Sequence, residues 1–419
     1  MEFICDIKKE EYISFAKKFK YTHFLQSYEW GVVSKTRGLI PFYVGLKDKN
    51  KIICEALLLQ KTLPLGYSYF YVPRGFLIDY NDKELLSKFT YEVKKFCKSK
   101  KGIFFRIDPD IKLHTIDENA KKIEGEDNYE LVKYLNSLGY KRKKLTYYFE
   151  TMQPRFTFRI SLKDDLSGIE KRYSKTTLQR IKKAENIGVY VEKGTIDDLK
   201  YFVKLMKMTE KRQNFFSHEE KFYYDFFKEF KDNVTLYLGK INISKIEKNI
   251  KDKTNKLKDE LKLLDDNKSK KANSRKKEIE KELDGLNKSL EFYKDKPKEE
   301  LVASSYIIVE YGNKAWALYA ANDMDYKTLY PNYLVYKNQI KDAKEKGLEI
   351  FDVFGTIGKP NDNSNLVGLH DFKKKWGGEY IEFIGEFDYV LNKPMYLVYT
   401  KLIPIRHKIV NKLLRKKVK

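Results

Sequence analysis

Two runs of apolar residues with alternating three- and four-residue steps stand out between residues 242 and 300. They are Ile243, Ile246, Ile250, Leu257, Leu261 and Leu264, then Ile279, Leu283, Leu286, Leu290 and Tyr293. That spacing lays one apolar seam along a helix, and Thr254 is its only break. The surrounding positions are Lys, Glu, Asp and Asn, so the segment reads as an inserted antiparallel helical arm. DDNKSKKANS separates the runs and is polar and turn-prone, with Asn273 or Ser274 available to cap the second helix. Each helix has about 20 residues, so the hairpin projects on the order of 30 Å. Two readings stay open: a structural arm kept soluble by its charges, or a docking arm for a partner.

On either side of the arm, strand patterns alternate with helical ones. FYVGLKDKNKIICEALLL predicts a hairpin turning at Asp48 to Asn50, followed by the strand YSYFYV, a helix over about 83–100 and the strand GIFFRID. After the midpoint, VTLYLGKI and LVASSYIIVEY pair across the arm, followed by the strand KAWALYAA, a helix over about 332–346 and the strand LEIFDVFG. The order is the same. The chain is therefore expected to hold two copies of one α/β unit, 1–150 and 151–385, with 242–300 inserted in the second and 386–419 returning to the first as a C-terminal helix. A cleft between the copies is the natural binding site.

Composition narrows the function classes. With 419 residues, 42% hydrophobic and 15% aromatic, the chain can build a sizeable core. Lys plus Arg number 84 against 60 Asp plus Glu, a surplus of +24 that favours a polyanion or an anionic membrane surface as partner. Cys5, Cys54 and Cys97 form no CxxC, so a disulfide framework or zinc site is not suggested and a reducing cytoplasm is expected. The N-terminus lacks the pattern of a secretory signal, and no apolar run approaches the length of a membrane span. His23, His114, His218, His370 and His407 make no metal-binding spacing and read as surface or packing residues; neither metal nor cofactor is expected. No GxGxxG follows a strand, GTIGKP from Gly355 has the wrong spacing for a P-loop, and no GxSxG or Cys–His pair offers a covalent nucleophile.

Several clusters carry more chemistry than their elements need. TLPLGYSYFYVPRGFLID includes a Pro-Arg-Gly step at Arg74. HFLQSYEWGVVSK places Gln26, Trp30 and Lys35 near a helix start. MTEKRQNFF ends a helix with a basic pair, and GLHDFKKKWGG sets Phe372, Lys373 and Trp376 beside glycines. FLQSYEW with Lys35, YVPRGFLID, RIDPD around Asp108, the Arg212 region, YPNYLVYK, FDVFGTIG and DFKKKWGGEYIEFIGEFD occur in the order found in one family. In these motifs, over nearly its whole length, the chain resembles the FemABX aminoacyltransferases, which build the peptide branches of bacterial peptidoglycan.

The resemblance implies two tandem domains of the GCN5-related acetyltransferase type, α/β in class, with a helical arm in the second. It implies aminoacyl-tRNA as donor, and lipid II or the soluble UDP-MurNAc-pentapeptide as acceptor. The acyl group would go to the side-chain amine at the third position of the stem peptide, or to a growing branch. A peripheral, monomeric enzyme at the inner face of the cytoplasmic membrane follows. The charge surplus suits both substrates, and two segments could supply it: KRYSKTTLQRIKK and the tail from Lys401, where Ile405, Ile409, Leu413 and Leu414 could oppose the cations on membrane or RNA, or simply pack. By motif position Lys373 looks like the lysine that steadies the oxyanion, although Lys374 and Lys375 compete for that alignment. Asp108 looks like the base for the amine proton, or else positions substrate or caps its turn. Lys35 and Arg212 look like cations gripping a diphosphate, one from each domain; Arg74 joins the substrate-binding set, and Tyr319 and Tyr333 line the peptide channel. Phe215 and Phe216 stand where some members have a Tyr. The rival readings are an acyl-CoA-dependent acyltransferase, whose pyrophosphate-binding segment is not apparent, and a non-catalytic RNA-binding protein.

Overall fold

A computed structural model describes residues 1–213, 215–264, 269–360 and 366–403. In chain order its strands are β1 (Glu2–Ile4), β2 (Ile40–Asp48), β3 (Lys51–Thr62), β4 (Ser68–Val72), β5 (Gly102–Ile107), β6 (Lys112–Thr115), β7 (Tyr140–Arg142), β8 (Phe156–Ser161), β9 (Tyr190–Gly194), β10 (Val234–Asn242), β11 (Glu300–Tyr311), β12 (Lys314–Asn322), β13 (Ile350–Asp352), β14 (Glu379–Phe383) and β15 (Phe387–Val390). They form two sheets, ordered β1-β2-β3-β4-β5-β15-β7 and β6-β14-β8-β13-β12-β11-β10-β9.

The repeated order in the sequence becomes a repeated topology. In the first sheet β2, β3 and β4 form an antiparallel meander, the helix Lys83–Ser99 crosses over, and β5 returns parallel to β4. In the second, β10, β11 and β12 form the meander, the helix Pro331–Glu345 crosses over, and β13 returns parallel to β12. The β2–β3 turn falls at Lys49 and Asn50, whose φ of 47° and 63° give the turn that matches strand twist. The crossover helix of the first unit is capped by Asp82, which accepts from the Leu85 N–H, and buries Leu86, Phe89, Val93 and Phe96 against the sheet.

The two sheets exchange strands. β6, from the first unit, pairs with β14, and β15, from the last part of the chain, inserts between β5 and β7. An apolar seam also joins the lobes: Phe24 and Trp30 of the first pack against Phe226, Phe230 and Trp316 of the second, with Phe24 and Trp316 rings 5.1 Å apart. Beside it, Asp110 is sealed between Arg159 at 2.5 Å and Lys314 at 3.1 Å, and Arg159 bonds Asp352 at 2.8 Å. Burial opposes ionisation of Asp110, but Arg159 and Lys314 hold it well below the usual carboxylate range.

The arm is built from the helices Ile243–Leu264 and Lys270–Tyr293. Its second helix begins earlier than the expected cap at Asn273 or Ser274: Ser269 accepts from the Ala272 N–H. The reason is that the seam starts one heptad sooner, at buried Ala272, and continues through Ile279, Leu286 and Tyr293. Arg275–Glu260 and Lys253–Glu282 pairs fix the antiparallel register. After β15, the helix from Lys393 lays Tyr396 and Tyr399 on Phe104 of the first sheet. The tail residues Ile405, His407, Ile409, Leu413 and Leu414 lie outside the described residues.

Because Trp316 is fully buried in the shared seam, Trp316→Ala should cost about 3–5 kcal/mol, and the wild-type lobes should unfold in one transition. Urea melts followed by tryptophan fluorescence and circular dichroism test this. An unchanged midpoint in the variant, or two separate wild-type transitions, would contradict the shared seam.

Candidate functional site

The two units differ in how far the parallel strand pair extends, and that difference opens a cavity. In the first, β4 and β5 stay paired from Ser68–Gly102 to Val72–Ile107. In the second, β12 and β13 pair only from Lys314–Ile350 to Trp316–Asp352. Beyond Trp316 the β12 strand runs on to Asn322 without β13, and its ladder with β11 slips, Ile307 facing Tyr319 and Ile308 facing Ala317. Leu318 is the extra residue of a bulge, which bends the strand and re-aims its neighbours. The opening is a cavity of about 700 Å³ lined by β12, the start of the helix Pro331–Glu345, and the helix Val367–Lys374.

Lys373 sits in its wall, 8% exposed. Its Nζ donates to the carbonyls of Phe354 and Gly355, the second at 2.6 Å. Those carbonyls converge because both residues are left-handed, with φ of 50° and 63°. A Cβ at Gly355 would meet Pro154 at 2.6 Å, so glycine is needed there. Asp352 ties the turn: its carboxylate accepts from the Phe354 N–H at 2.9 Å, from Thr157 at 2.6 Å and from Arg159 at 2.8 Å. Burial lowers the Lys373 pKa to about 7, against the pull of nearby Asp352. Three N–H groups on an ammonium and two carbonyl partners leave one N–H for the cavity.

The rest of the lining is cationic and aromatic. Arg180, Arg212, Lys327 and Lys373 face one acid, Asp323, among the described residues. Among the described residues Arg212 reaches only the Asn322 carbonyl, at 3.5 Å. Tyr319 packs edge-on to Tyr223 at 5.5 Å, and Tyr333 lies between Phe372 and Trp376. Asn322 donates to the Tyr306 hydroxyl at 3.2 Å.

Of the residues singled out from sequence, this cavity gathers Lys373, Arg212, Tyr319 and Tyr333. Lys374 and Lys375 do not line it, and Lys374 pairs instead with Glu118. Lys35 is exposed at the end of the helix Tyr28–Lys35, not near its start. It does not line the cavity, although the neighbouring Arg37 comes close enough to act on Tyr319 and His218. Asp108 does not join Lys373. It is buried, accepting from the Tyr71 hydroxyl and the Arg74 N–H, and burial pushes it up to about 7 against the charge of Arg74. Arg74, with φ of 57°, donates to the Pro154 carbonyl, lies over the Phe383 ring and lines a separate cavity with Asp110 and Lys314. Sequence reasoning passed over Arg180, visible only as part of a basic run, and Asp352, which looked like one more strand residue.

The lowered Lys373 pKa carries a stability signature. The unfolded chain keeps that proton up to about 10.5 while the folded chain releases it near 7, so wild-type stability gains a contribution as pH rises between those values. Lys373→Met should lack that increment in denaturant melts from pH 6 to 10; parallel pH profiles for the two proteins would refute it.

The comparisons with known proteins agree with one another. Residues 7–403 match the model of the FemAB family. A lipid II:glycine glycyltransferase of Staphylococcus epidermidis is 30% identical over 98% of each chain. Enzymes of the same name from Staphylococcus haemolyticus and Staphylococcus aureus are 28% identical over 98% of each chain. The crystal structure of FemX superposes with a TM-score of 0.76 at 24% identity, over 95% of this chain and 99% of that one. With the family model spanning almost the whole sequence, this chain belongs to the FemAB family.

Proposed function

We propose that the chain transfers an amino acid from its ester on transfer RNA to a primary amine carried by lipid II, extending a peptidoglycan branch. The observation that carries this reading is Lys373: a buried ammonium with one spare N–H, in the wall of a cavity whose other charges are nearly all positive. The names of the relatives supply lipid II as the acceptor and an acyl transfer of this kind as the reaction.

In the reaction the neutral amine attacks the ester carbonyl. A C–N bond forms, the C–O bond to the ribose breaks, and the proton lost by the amine ends on the ribose oxygen. The carbonyl oxygen carries the transient negative charge, and the free N–H of Lys373 stabilises it where few other groups compete. Arg212 supplies a forked cation for a phosphate, Tyr319 and Tyr333 give walls for the aminoacyl and peptide groups, and Lys35 holds the acceptor diphosphate from the first lobe. Asp108 and Arg74 are assigned to positioning: Asp108 fixes the Arg74 turn beside Asp110, which anchors Arg159 and through it Asp352. Lipid II places the work at a membrane surface. Among the described residues no helix is long and apolar enough to cross a membrane; peripheral contact by a monomer is the arrangement proposed.

The test is a transfer assay with lipid II and a panel of charged tRNAs, read by mass, in which the added mass names the donor. Lys373→Ala should lower kcat by about 10²–10³ with the KM for lipid II little changed. The wild-type profile has a shape of its own. The amine must lose a proton and Lys373 must keep one, so kcat/KM should rise about tenfold per pH unit below pH about 7 and level off above it. Unaltered turnover in the variant, or a rise that continues unbroken to pH 9, would reject the role of the ammonium.

A further inference from the structure

The helix Lys175–Ile187 stands between two cavities. On one side is the cavity of Lys373, lined by Arg180; on the other is a cavity of about 600 Å³ at the base of the arm, lined by Lys182 and Lys183. Arg180 and Lys183 are one turn apart and share a face of the helix. Both lie over the ring of Tyr330, each at 5.2 Å, and Arg180 also lies 5.1 Å from the Tyr333 ring and donates to its hydroxyl. Tyr330 is fixed in turn by its left-handed backbone, φ 56°, ahead of Pro331. Among the described residues neither cation is paired with a carboxylate.

A cation held by ring faces keeps its full charge, and the guanidinium keeps most of its donor fork free. Two such cations on the ridge between a catalytic cavity and a basic groove suit an extended polyanion better than a compact one. The adjoining Lys182 and the cavity's Lys327 and Arg212 continue the positive line on both sides. We infer that Arg180 and Lys183 hold successive phosphates of the single-stranded 3′ end of the RNA donor. Arg180 takes the phosphate of the terminal nucleotide and so delivers the ester to Lys373. This rests on the function proposed above, which it deepens by assigning the donor's path.

The experiment measures binding of a fluorescent single-stranded RNA ending in the tRNA 3′ sequence to the full chain across a salt series. Arg180→Gln and Lys183→Gln should each reduce the slope of log K against log salt by about 0.7, the value for one lost single-strand phosphate contact. Arg180→Lys keeps the charge and should keep the slope. Lys88→Gln, on an exposed position of the first-lobe helix, should match the wild type. In turnover, Arg180→Gln should raise the KM for charged tRNA at least about tenfold, the cost of about 1.4 kcal/mol in binding, and leave the KM for lipid II in place. Unchanged slopes in both glutamine variants, or equal losses in Arg180→Lys and Arg180→Gln, would overturn the assignment. A wild-type chain that binds the RNA yet transfers from no charged tRNA would defeat the functional reading instead, while the slopes would still decide the role of the two cations.

Discussion

The parting of β12 from β13 after three residue pairs is the constraint on which the rest of the second lobe depends. A parallel pair that ends early leaves a strand edge with unused hydrogen-bonding groups and a wedge of space beside it. Three features convert the wedge into a site. The bulge at Leu318 turns β12 outward, the left-handed turn at Phe354 and Gly355 aims two carbonyls inward, and Lys373 answers both of them. The first lobe has the same strand order, but there the parallel pair, despite a register shift between Ser68 and Phe70, runs on to Val72 and Ile107.

The seam between the lobes matters because the turn that holds Lys373 is tied to the first lobe. Asp110 bonds Arg159, Arg159 bonds Asp352, and Asp352 caps the Phe354 N–H. Breaking a buried pair of this kind by removing one partner leaves an uncompensated charge, which costs far more than the pair contributes. The large apolar contact of Phe24, Trp30, Phe226 and Trp316 keeps the lobes from sliding and so keeps that chain of ion pairs closed. Fold and site geometry are therefore coupled through one carboxylate from each lobe.

Much of this was legible in the sequence. The two copies of strand, strand, strand, helix, strand showed because the hairpin strands and the crossover helices carry clear periodicity, and the arm showed because a heptad seam is unmistakable amid so much charge. The swapped strands were not legible: β6 and β15 have four residues each and find partners more than 240 positions away, so local pattern carries no trace of them. The cap of the second arm helix was missed because Ala272 was not counted as apolar seam. Lys373 and Arg212 line one cavity, whereas Asp108, read from sequence either as a base or as a positioning or turn-capping residue, lies buried beside Arg74 and outside that cavity. Arg180 was hidden in a run of equivalent-looking cations, and its contact with Tyr333 and its place in the cavity wall distinguish it.

In the proposed reaction the wedge between β12 and β13 receives the reacting ester, with Lys373 against its carbonyl oxygen. The most direct measurement is a crystal structure of the chain with an RNA 3′ end bearing the amino acid through a stable amide. The acyl oxygen is expected at about 3 Å from the Lys373 Nζ, between β12 and the Phe354–Gly355 turn. An acyl group seated instead in the cavity beside Arg74 and Asp110, out of reach of Lys373, would contradict it.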